Sequence, residues 1–138
     1  MVDHYIALQP DIGEIPRLLD WVEACCAGDR VADDIALKLA LALEEAVVNV
    51  INHGFQDAPP PHRLEVRLAI AAARLSAEIV DNAVPFDPTT APPPETTLPL
   101  ERRDPGGLGI RLIHAMMDRV EYRRVDGENR LRLEKVLG

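Results

Sequence analysis

Apolar residues recur along this chain in two periods. In PDIGEIPRLLDWVEACCAGD, Ile15, Leu18, Leu19, Val22 and Cys26 fall at helical spacing. The pattern predicts a first helix that begins close to Pro16, a residue tolerable only in a first turn, and ends near Gly28. The longest periodic segment runs from about Val31 to His53, rich in Ala and Leu and without Gly or Pro, and predicts a second helix that Gly54 stops. GLGIRLIHAMMD (107–118) predicts a third, with Arg111, His114 and Asp118 on one polar edge against Leu108, Leu112, Ile113 and Met116. Strands follow from alternation: HYIALQ (4–9), a hairpin of HRLEVRLAI (62–70) and RLSAEIVD (74–81), and a second hairpin of VEYRRV (120–125) and RLRLEKV (130–136) turning at Asp126 and Gly127. Residues 87–106 hold six prolines in twenty residues and few apolar side chains, which predicts a long loop. The order βααββ, loop, αββ implies an α+β fold, with helices on one face of a mainly antiparallel, mixed sheet.

Composition narrows the classes. The 138 residues fit a single domain spanning 1–138, and 47% hydrophobic content supplies a core. A net charge of −8 repels phosphate backbones and anionic lipid, so neither direct nucleic-acid binding nor a membrane role is expected. No apolar run approaches the roughly 20 residues that span a bilayer, and MVDHYIALQPDIGEIP lacks the layout of a signal peptide, so a cytoplasmic protein is expected. The two cysteines, Cys25 and Cys26, are adjacent and read as free thiols on a helix, with redox sensing as the alternative.

Candidate chemistry sits first on the second helix. Glu45, Asn49, Asn52 and His53 fall at i, i+4, i+7 and i+8 and share one face, while Leu39, Leu43, Ala46, Val47, Val50 and Ile51 cover most of the rest. A narrow polar stripe on a buried helix needs partners or a ligand, so the stripe is either a satisfied core network or a binding site. His53, beside Gly54, reads as a capping residue or, alternatively, a metal ligand. VDNAVPFDP (80–88) ends a strand with Asp81, which read alone is a turn-initiating residue. GGLGIRL (106–112) places glycines at a helix start, where an ordinary turn and a phosphate-binding turn look alike.

Taken together and in this order, EEAVVNVINHGF, VDNAVPFDP and GGLGIRLIHAMMDRVEYRR resemble the ATP-binding domains of DNA gyrase, heat-shock chaperones, histidine kinases and mismatch-repair proteins. They are most similar to bacterial anti-sigma factors that are also serine-protein kinases of partner-switching circuits, and the resemblance covers essentially the whole chain. It implies a two-layer α/β sandwich (the Bergerat ATP-binding fold) whose first motif is the N box and whose other two flank an ATP lid at about 87–106. By position it implies Asn49 as the ligand of Mg²⁺, an ion suited to amide oxygen, water and phosphate. It implies Glu45 as general base, with Glu44, about 100° away around the helix, as competitor. Asp81 would accept from the adenine amino group, with Ala83, Phe86, Gly106, Gly107, Leu108, Gly109 and Ile110 around the nucleotide. Arg102 and Arg103 would clamp the triphosphate or else form a solvated pair.

The sequence departs from the family twice: Ala83 replaces a usual glycine, and NRLRL lacks the usual Thr or Ser near the base. The function implied is an ATP-dependent anti-sigma factor that sequesters a sigma factor and phosphorylates a serine of an antagonist protein, as a homodimer. The alternative is a non-catalytic nucleotide-binding module that regulates a partner without phosphoryl transfer. A histidine-kinase catalytic domain is less favoured, because no dimerisation segment with a phospho-accepting His precedes the first strand.

Overall fold

A computed structural model describes residues 2–56, 58–90 and 105–137. Their order is β1 (Val2–Ala7), α1 (Ile15–Gly28), α2 (Asp33–Asn49), β2 (Leu64–Ile70), β3 (Arg74–Asp81), α3 (Pro105–Met116), β4 (Arg119–Val125) and β5 (Glu128–Val136). The five strands form one sheet in the order β1-β2-β3-β5-β4, and all four pairings are antiparallel. Alternate strand residues, among them Val66, Leu68, Ala77, Ile79 and Leu133, share one core with Leu18 and Val22 of α1, Leu39, Leu43 and Val47 of α2, and Ile113 of α3. Each fully buried Val, Leu or Ile side chain among them contributes about 1.5–3 kcal/mol. The layers are therefore helices over one face of a sheet that is antiparallel throughout its described strands rather than mixed, in the two-layer α/β sandwich that the resemblance implies.

The other face of the sheet is charged and pairs with itself. Glu65, only 4% exposed, accepts from the Tyr5 hydroxyl at 2.6 Å and from Arg63 and Arg67 at 2.7 and 2.8 Å. Burial alone would raise its carboxyl, but these donors hold it below the ordinary carboxylate range.

Element ends differ from expectation where tertiary partners decide them. β1 lies two residues earlier than the alternation predicts, because its register runs from Val2 opposite Ile70 to Ala7 opposite Glu65. Pro16 does stand in the first turn of α1, after a 3₁₀ turn (Ile12–Glu14) that Asp11 caps through the Gly13 amide. Gly28 is the last helical residue of α1. The left-handed position that closes the helix belongs to Arg30, at φ 58°. The amides of Val31 and Arg30 reach back to the carbonyls of Cys26 and Ala27, which is the Schellman pattern. A side chain in that conformation costs about 1 kcal/mol, so Arg30→Gly is expected to raise the melting temperature by a few degrees, measurable by thermal denaturation.

Cys25 and Cys26 are both free and buried. Burial pushes the Cys26 thiol up to about 11, so at neutral pH it is a protonated core side chain rather than a reactive thiolate.

Candidate functional site

The last regular turn of α2 carries Ala46 and Asn49, and the helix then widens into a π turn over Val50–Gly54. Such turns re-aim side chains and recur at functional sites. The wider spacing keeps His53 on Asn49's side and turns Asn52 to solvent, splitting the stripe that α-helical spacing predicts. Beside this turn, β3 ends at Asp81, and a cavity of about 120 Å³ opens between them. Asn49, Val50, His53 and Gly54 line it from the α2 side, Ile79 and Asp81 from β3, and Ala83 to Phe86 with Pro88 from the segment that follows. Ile113 of α3, Tyr122 of β4, and Asn129 and Leu131 of β5 complete it. An apolar slot with a few convergent polar groups is the usual build of a small-molecule site.

Asp81 is the most enclosed of those polar groups, at 3% exposure. Its Oδ1 accepts from the Ala83 amide at 3.0 Å and from Asn129 Nδ2 at 2.9 Å. Its Oδ2 takes no hydrogen bond among the described residues. Burial raises its carboxyl above the ordinary value, and the Asn129 and Ala83 bonds and the Arg124 charge only partly oppose this. The Asn49 side chain is half-buried at the cavity wall and likewise without a hydrogen-bond partner among the described residues.

The cavity thus brings together Asn49, Asp81, Ala83 and Phe86, the last 51% exposed. Glu45 and Glu44 are half-buried on α2 and are not among its lining residues. Ile110 is buried on α3 and does not line it either. α3 begins at Pro105, two residues earlier than expected, so Gly106, Gly107, Leu108 and Gly109 form its first turn. Three glycines there cost helix stability, and a helix start gains from them only where something must approach the backbone closely. Arg102 and Arg103, with most of the 87–106 loop, lie outside the described residues; at the near end of that loop, Pro88–Thr90 form a short 3₁₀ turn.

Two features escaped the sequence. Gly54 does not stop α2 by adopting a left-handed conformation; it is the buried end of the π turn, and a Cβ added to it would stand 2.7 Å from the Ala83 Cβ. The methyl of Ala83 is therefore seated against Gly54, and the Val84 amide donates to the Gly54 carbonyl at 3.1 Å, tying the two segments. Gly54→Ala is expected to destabilise the fold by about 1–3 kcal/mol through overpacking, and Ala83→Gly in the same chain to restore most of the loss, as read by denaturant melts of the single and double variants.

The second feature is Asn129. It lies opposite Asp81 in the β3–β5 register and is buried against it, in the region where the sequence shows no hydroxyl residue. Pairing across the sheet is the signal that could have found it: the first inward residue of β5 must face the last residue of β3.

Residues 8–135 match the histidine kinase-like ATPase domain family. The serine/threonine-protein kinase BtrW of Bordetella bronchiseptica is 34% identical over 117 residues, covering 83% of this chain and 80% of that protein. The fold is similar to a Mycobacterium tuberculosis protein crystallised as its RsbU and RsbW domains, with TM-score 0.69, 13% identity and 99% of this chain covered. It is also similar to the histidine kinase domain of a blue-light-activated kinase from Erythrobacter litoralis, with TM-score 0.57, 15% identity and 91% covered. The chain spans 32% and 60% of those two solved chains. With a match across nearly its whole length and a kinase relative at this identity, the chain belongs to the histidine kinase-like ATPase domain family, in the branch of the partner-switching serine kinases.

Proposed function

We propose that this protein binds Mg-ATP in the cavity between α2 and β3, sequesters a sigma factor, and phosphorylates a serine of a small antagonist protein. The observation that carries the proposal is Asp81: a carboxylate enclosed in an apolar slot, with one oxygen held by the protein and the other without a partner among the described residues. Such an acceptor is costly to bury unless a ligand donor meets it, and the amino group of adenine is such a donor.

The residues present fit the metal as well. Among the described residues no three His, Cys, Asp or Glu side chains converge, which suits Mg²⁺ held by one side chain, water and phosphates rather than by a protein cage. Asn49, with an uncommitted amide at the cavity wall, would hold it, and the ion would neutralise charge on the phosphates. Glu45, one turn before Asn49, accepts the serine proton as the hydroxyl oxygen attacks the γ-phosphorus and the bond to the β-phosphate oxygen breaks, releasing ADP. Gly106, Gly107 and Gly109 let the phosphates approach the start of α3, and Arg102 and Arg103 clamp them from the lid. The protein works in the cytoplasm as a homodimer, and its nucleotide state selects the partner.

One observation favours the second reading, a binding module without transfer: Glu45 is not part of the cavity lining. Incubation with γ-labelled ATP, Mg²⁺ and a serine-bearing antagonist separates the two. Label on the antagonist supports the kinase; bound ATP without label supports the module; no ATP binding overturns both.

A further inference from the structure

We infer that Asn129 is a positioning residue for the nucleotide base: held from behind by Tyr122 and Arg124, its amide occupies one oxygen of Asp81 and leaves the other to accept from the ligand. The inference rests on the cavity being the adenine site, as proposed above.

The amide of Asn129 is used completely. Its Oδ1 accepts from the Tyr122 hydroxyl at 2.6 Å and from Arg124 Nη1 at 3.1 Å. Two donors on that oxygen fix which way the amide points. Its Nδ2 then donates to Asp81 Oδ1 and to the Val84 carbonyl, both at 2.9 Å. Arg124 Nη1 also donates to the Ala83 carbonyl at 2.9 Å, so the same network holds the segment that follows Asp81. No hydrogen is left on Asn129 for a ligand. It therefore differs from a side chain that contacts the base: its effect passes through Asp81, whose free oxygen it orients, and whose ionised form its donor favours.

A purine with a 6-amino donor, as in ATP, meets that oxygen favourably. A 6-oxo purine, as in inosine triphosphate, sets acceptor against acceptor. Other charged or titratable groups around Asp81 are Arg124 and Tyr122 on β4, Glu128 on β5, and His53 on the π turn. Asp87 stands nearby, close enough to act on Tyr122. All remain in the variants compared below except where one is itself replaced.

The test is calorimetric titration of the unmodified protein and Asn129→Ala with ATP and with inosine triphosphate, across a pH series. Asn129→Ala is expected to bind ATP about tenfold more weakly, to prefer ATP over inosine triphosphate less, and to lose ATP at a higher pH on acidification. The last two follow because an Asp81 without its donor takes up a proton more readily, and a protonated carboxyl donates to a 6-oxo group. Equal losses for both nucleotides with an unmoved pH profile would show a merely structural residue and overturn the inference. Should Asn129→Ala fail to fold, Tyr122→Phe decides: it removes one of the two donors that hold the amide, and the same changes at smaller size are expected, their absence overturning the inference. An unmodified protein that binds neither nucleotide overturns the proposed function itself.

Discussion

Asp81→Asn should leave the protein folded and strip it of ATP. In the variant the Oδ1 side of the new amide can still accept from Asn129 and the Ala83 amide, so the local network persists. An NH₂ group then replaces Oδ2 and meets the adenine amino group donor to donor, which leaves two buried donors unpaired. The expected loss in ATP affinity is about 100-fold or more. Stability should move the other way. Burial raises the Asp81 carboxyl, so the folded state holds that proton more tightly than the unfolded chain. The resulting stabilisation is fully present below the ordinary carboxylate pKa and is lost as pH rises through the raised one. At neutral pH the unmodified protein bears a buried charge that the asparagine variant lacks. Melting temperatures should therefore favour the variant at pH 7, and the difference should shrink on acidification. A variant that melts lower at pH 7, or binds ATP normally, would contradict this account.

Glu45→Ala is expected to reduce phosphoryl transfer to the antagonist by about 100-fold or more, the usual contribution of a positioned general base, while ATP affinity changes less than about twofold. The split follows from geometry: Glu45 lies outside the lining of the cavity proposed for the base, yet one helical turn before Asn49. Glu44→Ala serves as the control, since Glu44 points about 100° away on the same helix. Quench-flow transfer assays beside equilibrium ATP titrations read both quantities. Equal transfer by both variants would remove Glu45 from the mechanism.

Much of the fold was legible because its periods are clean. The three helices and both hairpins follow from apolar spacing, and the Asp126–Gly127 turn follows from its residues, which adopt φ 51° and 80° as a tight hairpin requires. What was misread depends on contacts distant in sequence. Both helical runs do end at the expected glycines, Gly28 and Gly54, but neither glycine is the left-handed cap that local rules assign to it. The chain instead closes α1 with Arg30 and uses Gly54 to admit the Ala83 methyl, a need that arises only when the segment after β3 folds against α2. Asn52 was grouped with His53 because a π turn leaves no periodic mark in a sequence. Within the candidate site, Asn49, Asp81, Ala83 and Phe86 were legible as parts of motifs, whereas Asn129 belongs to none and Tyr122, near the end of the third, was given no role, because both matter through register.

The place of β5 in the sheet has a consequence for synthesis. It is the last of the described strands, yet it lies between β3 and β4, and β4 joins the sheet only through it. A ribosome still threading that strand holds a chain in which Asp81 has no Asn129 beside it and the cavity wants a wall. The cavity wall is thus completed late, only once β5 has docked between β3 and β4, after all the other described strands have been made.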